Sequence, residues 1–126
     1  MRVYLPLLLA ELGAVAADAR LPERSGYIVS DALRAADTEA DEEDLEFEAM
    51  CQALDAARGL GPGRRVVAAA DIADAPATGR GAGLDRPVVV PLGDVVSFHV
   101  EEEAGEVGAG YDDLLWYDVT ELSDLT

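Results

Sequence analysis

The chain has 126 residues, 50% of them hydrophobic and only 6% aromatic, so one domain of ordinary size must fold on an aliphatic core. Nine basic residues against 26 acidic ones leave a net charge of −17, which argues against direct binding to nucleic acid or to an anionic membrane. One cysteine and one histidine exclude an internal disulfide framework, a zinc site with several thiolates and a His-rich metal site.

The first residues carry one base, an apolar run and the small-residue stretch Ala14-Val15-Ala16, which together imitate a secretory signal. Glu11 cuts the run short and Pro6 lies inside it, so the expectation is a retained N-terminus and a cytoplasmic protein. No run approaches the ~18 apolar residues of a membrane span. Val3 to Leu5 reads as a short strand ended by Pro6. Leu8, Leu12, Val15 and Ala19 then recur at helical spacing, and Pro22 closes that helix. Tyr27-Ile28-Val29 reads as a second strand, followed by a short helical turn capped by Ser30 or Asp31.

The spacing predicts a long helix from Asp41 to Arg58, with Phe47, Met50, Cys51, Leu54 and Ala57 on its core face. Acids crowd its first turn and Arg58 sits in its last, both favourable to the helix dipole, and Gly59 to Pro62 stop it. Val66 to Ala70 is a continuous run of small apolar residues, the mark of a central strand covered on both faces. A Gly/Pro/Ala-rich loop spans Ala75 to Arg86. Val88 to Val90 and Val95 to Val100 form one or two strands; in the second, Val96, Phe98 and Val100 point one way and Val95, Ser97 and His99 the other. Leu114 to Thr120 is the last strand, with Leu115, Tyr117 and Val119 on its apolar face. The fold class is therefore α/β to α+β: a single domain with one mixed sheet of about five strands and helices packed on it, antiparallel at the C-terminal end.

The blocks MRVYLP (1–6), DEEDLEFEAM (41–50), RRVVAAAD (64–71), VVSFHVEE (95–102) and LLWYDVTEL (114–122) together resemble an uncharacterised family of small actinobacterial proteins known only as a domain of unknown function. The resemblance covers nearly the whole chain and implies a bacterial cytoplasmic protein; it transfers no catalytic residue. It also implies a longer helical stretch between the His99 and Trp116 strands. Here Glu101 to Gly110 is a short Gly- and Glu-rich link, which favours an antiparallel pair.

Charge is unevenly placed. Asp37, Glu39, Asp41, Glu42, Glu43, Asp44, Glu46 and Glu48 follow one another with no base among them, and after Arg86 there is no base at all. All nine bases are Arg. Three readings fit: a solvated acidic surface suited to a salty cytoplasm, a binding face for a basic protein led by Asp37 to Glu48, or mimicry of nucleic-acid phosphates in a partner's basic groove. The salt-adapted reading predicts a melting temperature that climbs with KCl toward molar concentrations.

Chemical sites are sparse. Gly79 to Gly83 precedes Pro87 and a strand, so it reads as a flexible turn and not as a phosphate loop, which opens a helix. Asp71, with Asp74 just beyond it, sits at the C-terminal end of the central strand, where a carboxylate pair would hold Mg²⁺ or work as acid and base; both also suit turn capping. Arg64 and Arg65 lie at the other end of that strand, ~23 Å away at about 3.3 Å per residue, so one compact site cannot use both. His99 shares a strand face with Ser97, but the spacing is awkward for a nucleophile and its base and there is no nucleophile elbow, so it reads as a half-exposed structural histidine before a catalytic one. Cys51 reads as an inert buried thiol, and of Trp116 and Tyr117 one enters the core while the other anchors an interface. The leading expectation is a non-enzymatic interaction module with no cofactor and no metal, taking a basic protein at the acidic run and Trp116. The rival is a small metal- or phosphate-ligand-dependent enzyme on Asp71, Asp74 and His99. A homodimer through the last strands is a further expectation, because short strands leave edges that need cover.

Overall fold

The computed structural model describes residues 1–73, 84 and 86–126, the side chain of residue 32 excepted. Its frame is a four-stranded sheet of β1 (Arg2–Leu8), β2 (Arg65–Asp71), β3 (Val95–Glu101) and β4 (Leu114–Asp118), in the order β1-β2-β3-β4. Every neighbouring pair is antiparallel. The expected mixed sheet of about five strands is corrected accordingly, while the α/β character and the antiparallel β3–β4 finish stand. Two predicted strands contribute single bridges instead. Tyr27 exchanges two backbone hydrogen bonds of 2.8 Å with Tyr4, and Val88 bridges Arg24.

Pro6 lies inside β1, opposite Val67, and does not end it. Tyr4 turns its N–H outward to Tyr27, so Pro6, two residues on, places its missing donor on the same outer side, where no ladder bond is lost. β1 therefore runs on through Leu8, and the following helix α1 begins only at Leu12 and ends at Asp18. A short helix α2 (Asp31–Ala36) is capped by Ser30, whose Oγ accepts from Leu33 N–H at 3.1 Å.

Helix α3 (Glu42–Arg58) confirms the predicted long helix; Asp41 is its N-cap, accepting from Asp44 N–H at 2.9 Å. Its core face differs from the predicted one. Leu45, Ala49, Cys51, Ala53, Leu54 and Ala57 are buried, while Phe47 stays 40% exposed and Met50 half-buried. Ala49, Ala53 and Ala57 recur every four residues, and a stripe without bulk lets the helix lie close over Tyr4, Val67 and Ala69. Phe47 is turned aside by this choice.

The opposite sheet face carries the larger core: Val3, Leu5 and Leu7 from β1, Val66, Ala68 and Ala70 from β2, Phe98 and Val100 from β3, with Leu12 and Val15 of α1 and Leu122 packed on them. Leu122 comes from the 3-10 segment Val119–Leu125, which follows β4 and folds beneath the sheet. β2 is thus covered on both faces, as its unbroken apolar run predicts. A bulge opposes Ala69 to Ser97 but Ala70 to Val95. It moves Val95 onto the Phe98 side and leaves Val96 half-buried, reversing the expected facing of those two valines.

Candidate functional site

The α3 side of the sheet has two unlike ends, both built from the strand alternation that puts Arg65, Val67 and Ala69 of β2 and Ser97, His99 and Glu101 of β3 on one face. α3 packs chiefly on β1 and β2, so what happens over β3 and β4 depends largely on the side chains and the following loop.

At one end, Arg65 is wholly buried opposite Glu101, which is 4% exposed. The guanidinium donates to the carboxylate from Nε at 2.8 Å and from Nη2 at 3.0 Å, and the Arg65 backbone N–H adds a third bond at 2.7 Å. Nη2 also donates to Ala109 O at 2.8 Å, while Arg58 donates to Gly105 O from Nε and Nη2 at 3.0 and 2.6 Å. Asp55 accepts from Gly108 N–H at 3.0 Å and from the Tyr111 hydroxyl at 2.8 and 2.9 Å. Helix end, two strands and the 102–111 loop are thereby tied into one closed network. Burial alone would push the Glu101 carboxyl up, but the bonds and charge of Arg65, with Arg58 nearby, outweigh it and hold the carboxyl below the usual range. A side chain at Gly105 would crowd the pair, since a Cβ would stand 2.6 Å from Glu101 Oε2 and 3.0 Å from Arg65 Nη2.

The other end is open. Arg2, Tyr4, Ser97 and His99 on the strands, Glu43, Glu46, Phe47 and Met50 on α3, and Trp116 of β4 enclose a groove of about 430 Å³. Trp116 is 60% exposed, whereas its neighbour Tyr117 packs against the large core on the far face. Trp116 stands directly across from His99 in the β3–β4 register. Ser97 Oγ and His99 Nε2 lie 3.1 Å apart. Burial, and then the charge of Arg2, lower the His99 pKa, so the imidazole is neutral at pH 7. The Tyr4 phenol is pushed up, first by burial and then by the charge of Glu46. Glu43 and Glu46 are the acids on the helix wall, and Arg2, the groove's arginine, is held by Asp71 through an Nε–Oδ1 bond of 2.8 Å.

Several acids of the predicted run carry bonds of their own. Asp41 caps α3, Glu42 accepts from Arg34 at 2.8 Å, Glu48 pairs with Gln52 at 3.4 Å, and Asp37 accepts from Glu39 N–H at 3.3 Å. Asp44 is exposed in the first turn, which leaves Glu43 and Glu46 on the groove. Asp71 is exposed and bound to Arg2; Asp74 and the Gly79 to Gly83 turn lie outside the described residues. His99 pairs with Val67, four residues along β2 from Asp71, or ~13 Å at about 3.3 Å per residue. Cys51 is buried, and desolvation followed by the charges of Glu48, Asp55 and Asp112 raises its pKa to about 11. No group of three or more His, Cys, Asp or Glu among the described residues is placed to hold a metal ion. No helix among them is long and apolar enough to cross a membrane.

Sequence reasoning missed the Arg65–Glu101 network. The parity that puts both residues on the helix side was present in the two strands, but the register that sets them opposite was not. It also missed Phe47 as a groove residue, because helical periodicity alone counts it with the core.

The model of a family of unknown function, DUF6912, matches residues 1–110. The chain belongs to that family. No curated protein and no solved structure matches it. The family match spans α3, β2, β3 and the closed network as far as Gly110 and stops before β4, so the groove's helix wall and strand floor lie within the matched region and Trp116 beyond it.

Proposed function

We propose that this DUF6912 member is a non-catalytic interaction module of an actinobacterial cytoplasm that takes a cationic segment of a partner protein in the Trp116 groove. One observation carries the reading: two large apolar side chains, Trp116 and Phe47, stand exposed over a groove whose helix wall bears Glu43 and Glu46 and whose arginine is already bonded to Asp71. An exposed aromatic pair beside carboxylates that have no ion-pair partner among the described residues favours a guanidinium or ammonium carried on an apolar stem, by cation–π contact and charge attraction together. The chain-wide charge of −17 would steer such a partner in.

An enzyme on Asp71, Asp74 and His99 has less support, since Asp71 is engaged by Arg2 and stands well away from His99 along the sheet. Ser97 is 3% exposed, and no carboxylate among the described residues orients the far nitrogen of its His99 partner. Phosphate mimicry has less support, since Glu42 is bonded to Arg34 and Glu48 to Gln52.

Trp116 is the chain's one tryptophan, so its fluorescence reports directly on the groove. Titration with an arginine-rich heptapeptide should give a saturable change that fades with salt, while a glutamate-rich control gives none. By calorimetry, Glu43→Gln with Glu46→Gln should weaken binding at least about tenfold, as expected for losing two close charge contacts. Glu102→Gln with Glu103→Gln, equal in charge but off the groove, should not. Equal losses in the two double variants would reduce the effect to net charge and end this reading.

A further inference from the structure

We infer that the cationic segment binds as an added strand, hydrogen-bonded along the outer edge of β4, with its basic side chains over the groove; this rests on the function proposed above. Among the described residues β4 ends the sheet and pairs on one side only, with β3. Among the described residues no backbone hydrogen bond joins Leu114 to Asp118 to any other segment. The opposite edge is treated differently: β1 carries Pro6 and is bridged at Tyr4 by Tyr27. β4 has none of the devices that keep an edge from pairing, neither proline, nor lysine or arginine, nor a bulge in its ladder to β3.

Charge selects the occupant. Asp112 and Asp113 precede the strand, Asp118 ends it, Glu121 follows, and no base occurs after Arg86. A second copy of the chain would set this acidic edge against itself. A cationic strand would be attracted along its whole length.

The pleat then dictates which residues the added strand must carry. Trp116 and Asp118 share the groove face with their β3 partners His99 and Ser97, while Leu115 and Tyr117 turn to the other side. Leu115 is 37% exposed there, an apolar surface with room for a neighbour. The fitting segment therefore alternates arginine or lysine, over Trp116 and Asp118, with β-branched apolar residues beside Leu115 and Tyr117. The added backbone supplies affinity and the alternation supplies selectivity.

The test uses the full chain and a capped peptide, Ser-Arg-Val-Arg-Val-Arg-Ser, in two backbone-methylated forms, one N-methylated at the arginines and one at the valines. A strand presents the N–H groups of alternate residues to its neighbour, so one form must lose its ladder bonds and the other keep them. The expected result by calorimetry is a loss of about tenfold or more for one form, at about a tenfold factor per good bond, and near-parental affinity for the other. Equal behaviour of the two forms, whether both bind or both fail, overturns strand addition. If the unmethylated peptide binds, such a result leaves the proposed function standing. Failure of the unmethylated peptide itself sinks the proposed function and strand addition with it. A dimer in sedimentation that excess peptide does not dissociate would assign the edge to a second copy and overturn the inference as well.

Discussion

One sheet face ends in a sealed ion pair over Glu101 and, two residues earlier on the same strand, in an open groove beside His99. Both ends start from polar residues at equivalent positions of β3. The difference lies in what arrives from above. Over Glu101, the last turn of α3 and the glycine-rich loop converge with Arg58, Asp55 and Tyr111, and every charge finds a partner. Over His99 the same helix supplies only a wall of Glu43, Glu46, Phe47 and Met50, and a groove is left between it and Trp116. A buried charge needs its whole surroundings built for it, whereas a groove needs only that nothing be built.

The sealed end is the more sensitive to substitution, above all at Glu101. Glu101→Ala should cost about 3–5 kcal/mol in urea unfolding, because Arg65 stays buried without its counter-ion. Joint replacement, Arg65→Met with Glu101→Leu, should recover much of that loss if the pair serves geometry more than energy. Gly105→Ala should cost about 1–3 kcal/mol by thermal melting, since the new methyl must displace a carboxylate fixed by three bonds. If it melts with the parent, the loop is looser than the network implies.

Acid separates the two ends without mutation. Glu101 has a folded pKa below its unfolded value, so its contribution is complete above the ordinary carboxylate range and is lost as pH falls through the depressed value, below about pH 4. His99 is also depressed, so its share begins to fade earlier, below about pH 6.5. Stability followed from pH 8 to pH 3 should therefore fall in two stages, and His99→Gln should remove the upper stage alone. The smallest expected effect lies at the open end. Trp116→Ala should change stability by no more than about 0.5 kcal/mol, as for an ordinary surface position, while abolishing peptide binding by calorimetry. A large loss of stability would show that Trp116 packs as core.

The elements that could be read from local pattern are those whose signal is local. α3 announced itself through its Asp41 cap, its acidic first turn and its apolar repeat, and β2 through five consecutive small apolar residues. Tyr27 to Val29 and Val88 to Val90 carried the same composition as strands, yet tertiary context used each for a single bridge. The groove was half legible: Trp116 and the acids of α3 were singled out, but which acids would face it depended on how the helix turned.

Sequence by itself determined the acidic surface, the long helix, the central strand and the exclusion of a disulfide or a multi-thiolate site within this chain, since composition and short-range periodicity suffice for these. Only the tertiary structure decided that Arg65 meets Glu101, that Val95 and Val96 exchange faces, and that Phe47 lines the Trp116 groove and is left out of the core. Each of those depends on register or on helix rotation between segments far apart in the chain. A one-residue slip in a sheet, or one position of rotation in a helix, redirects side chains without altering any local pattern.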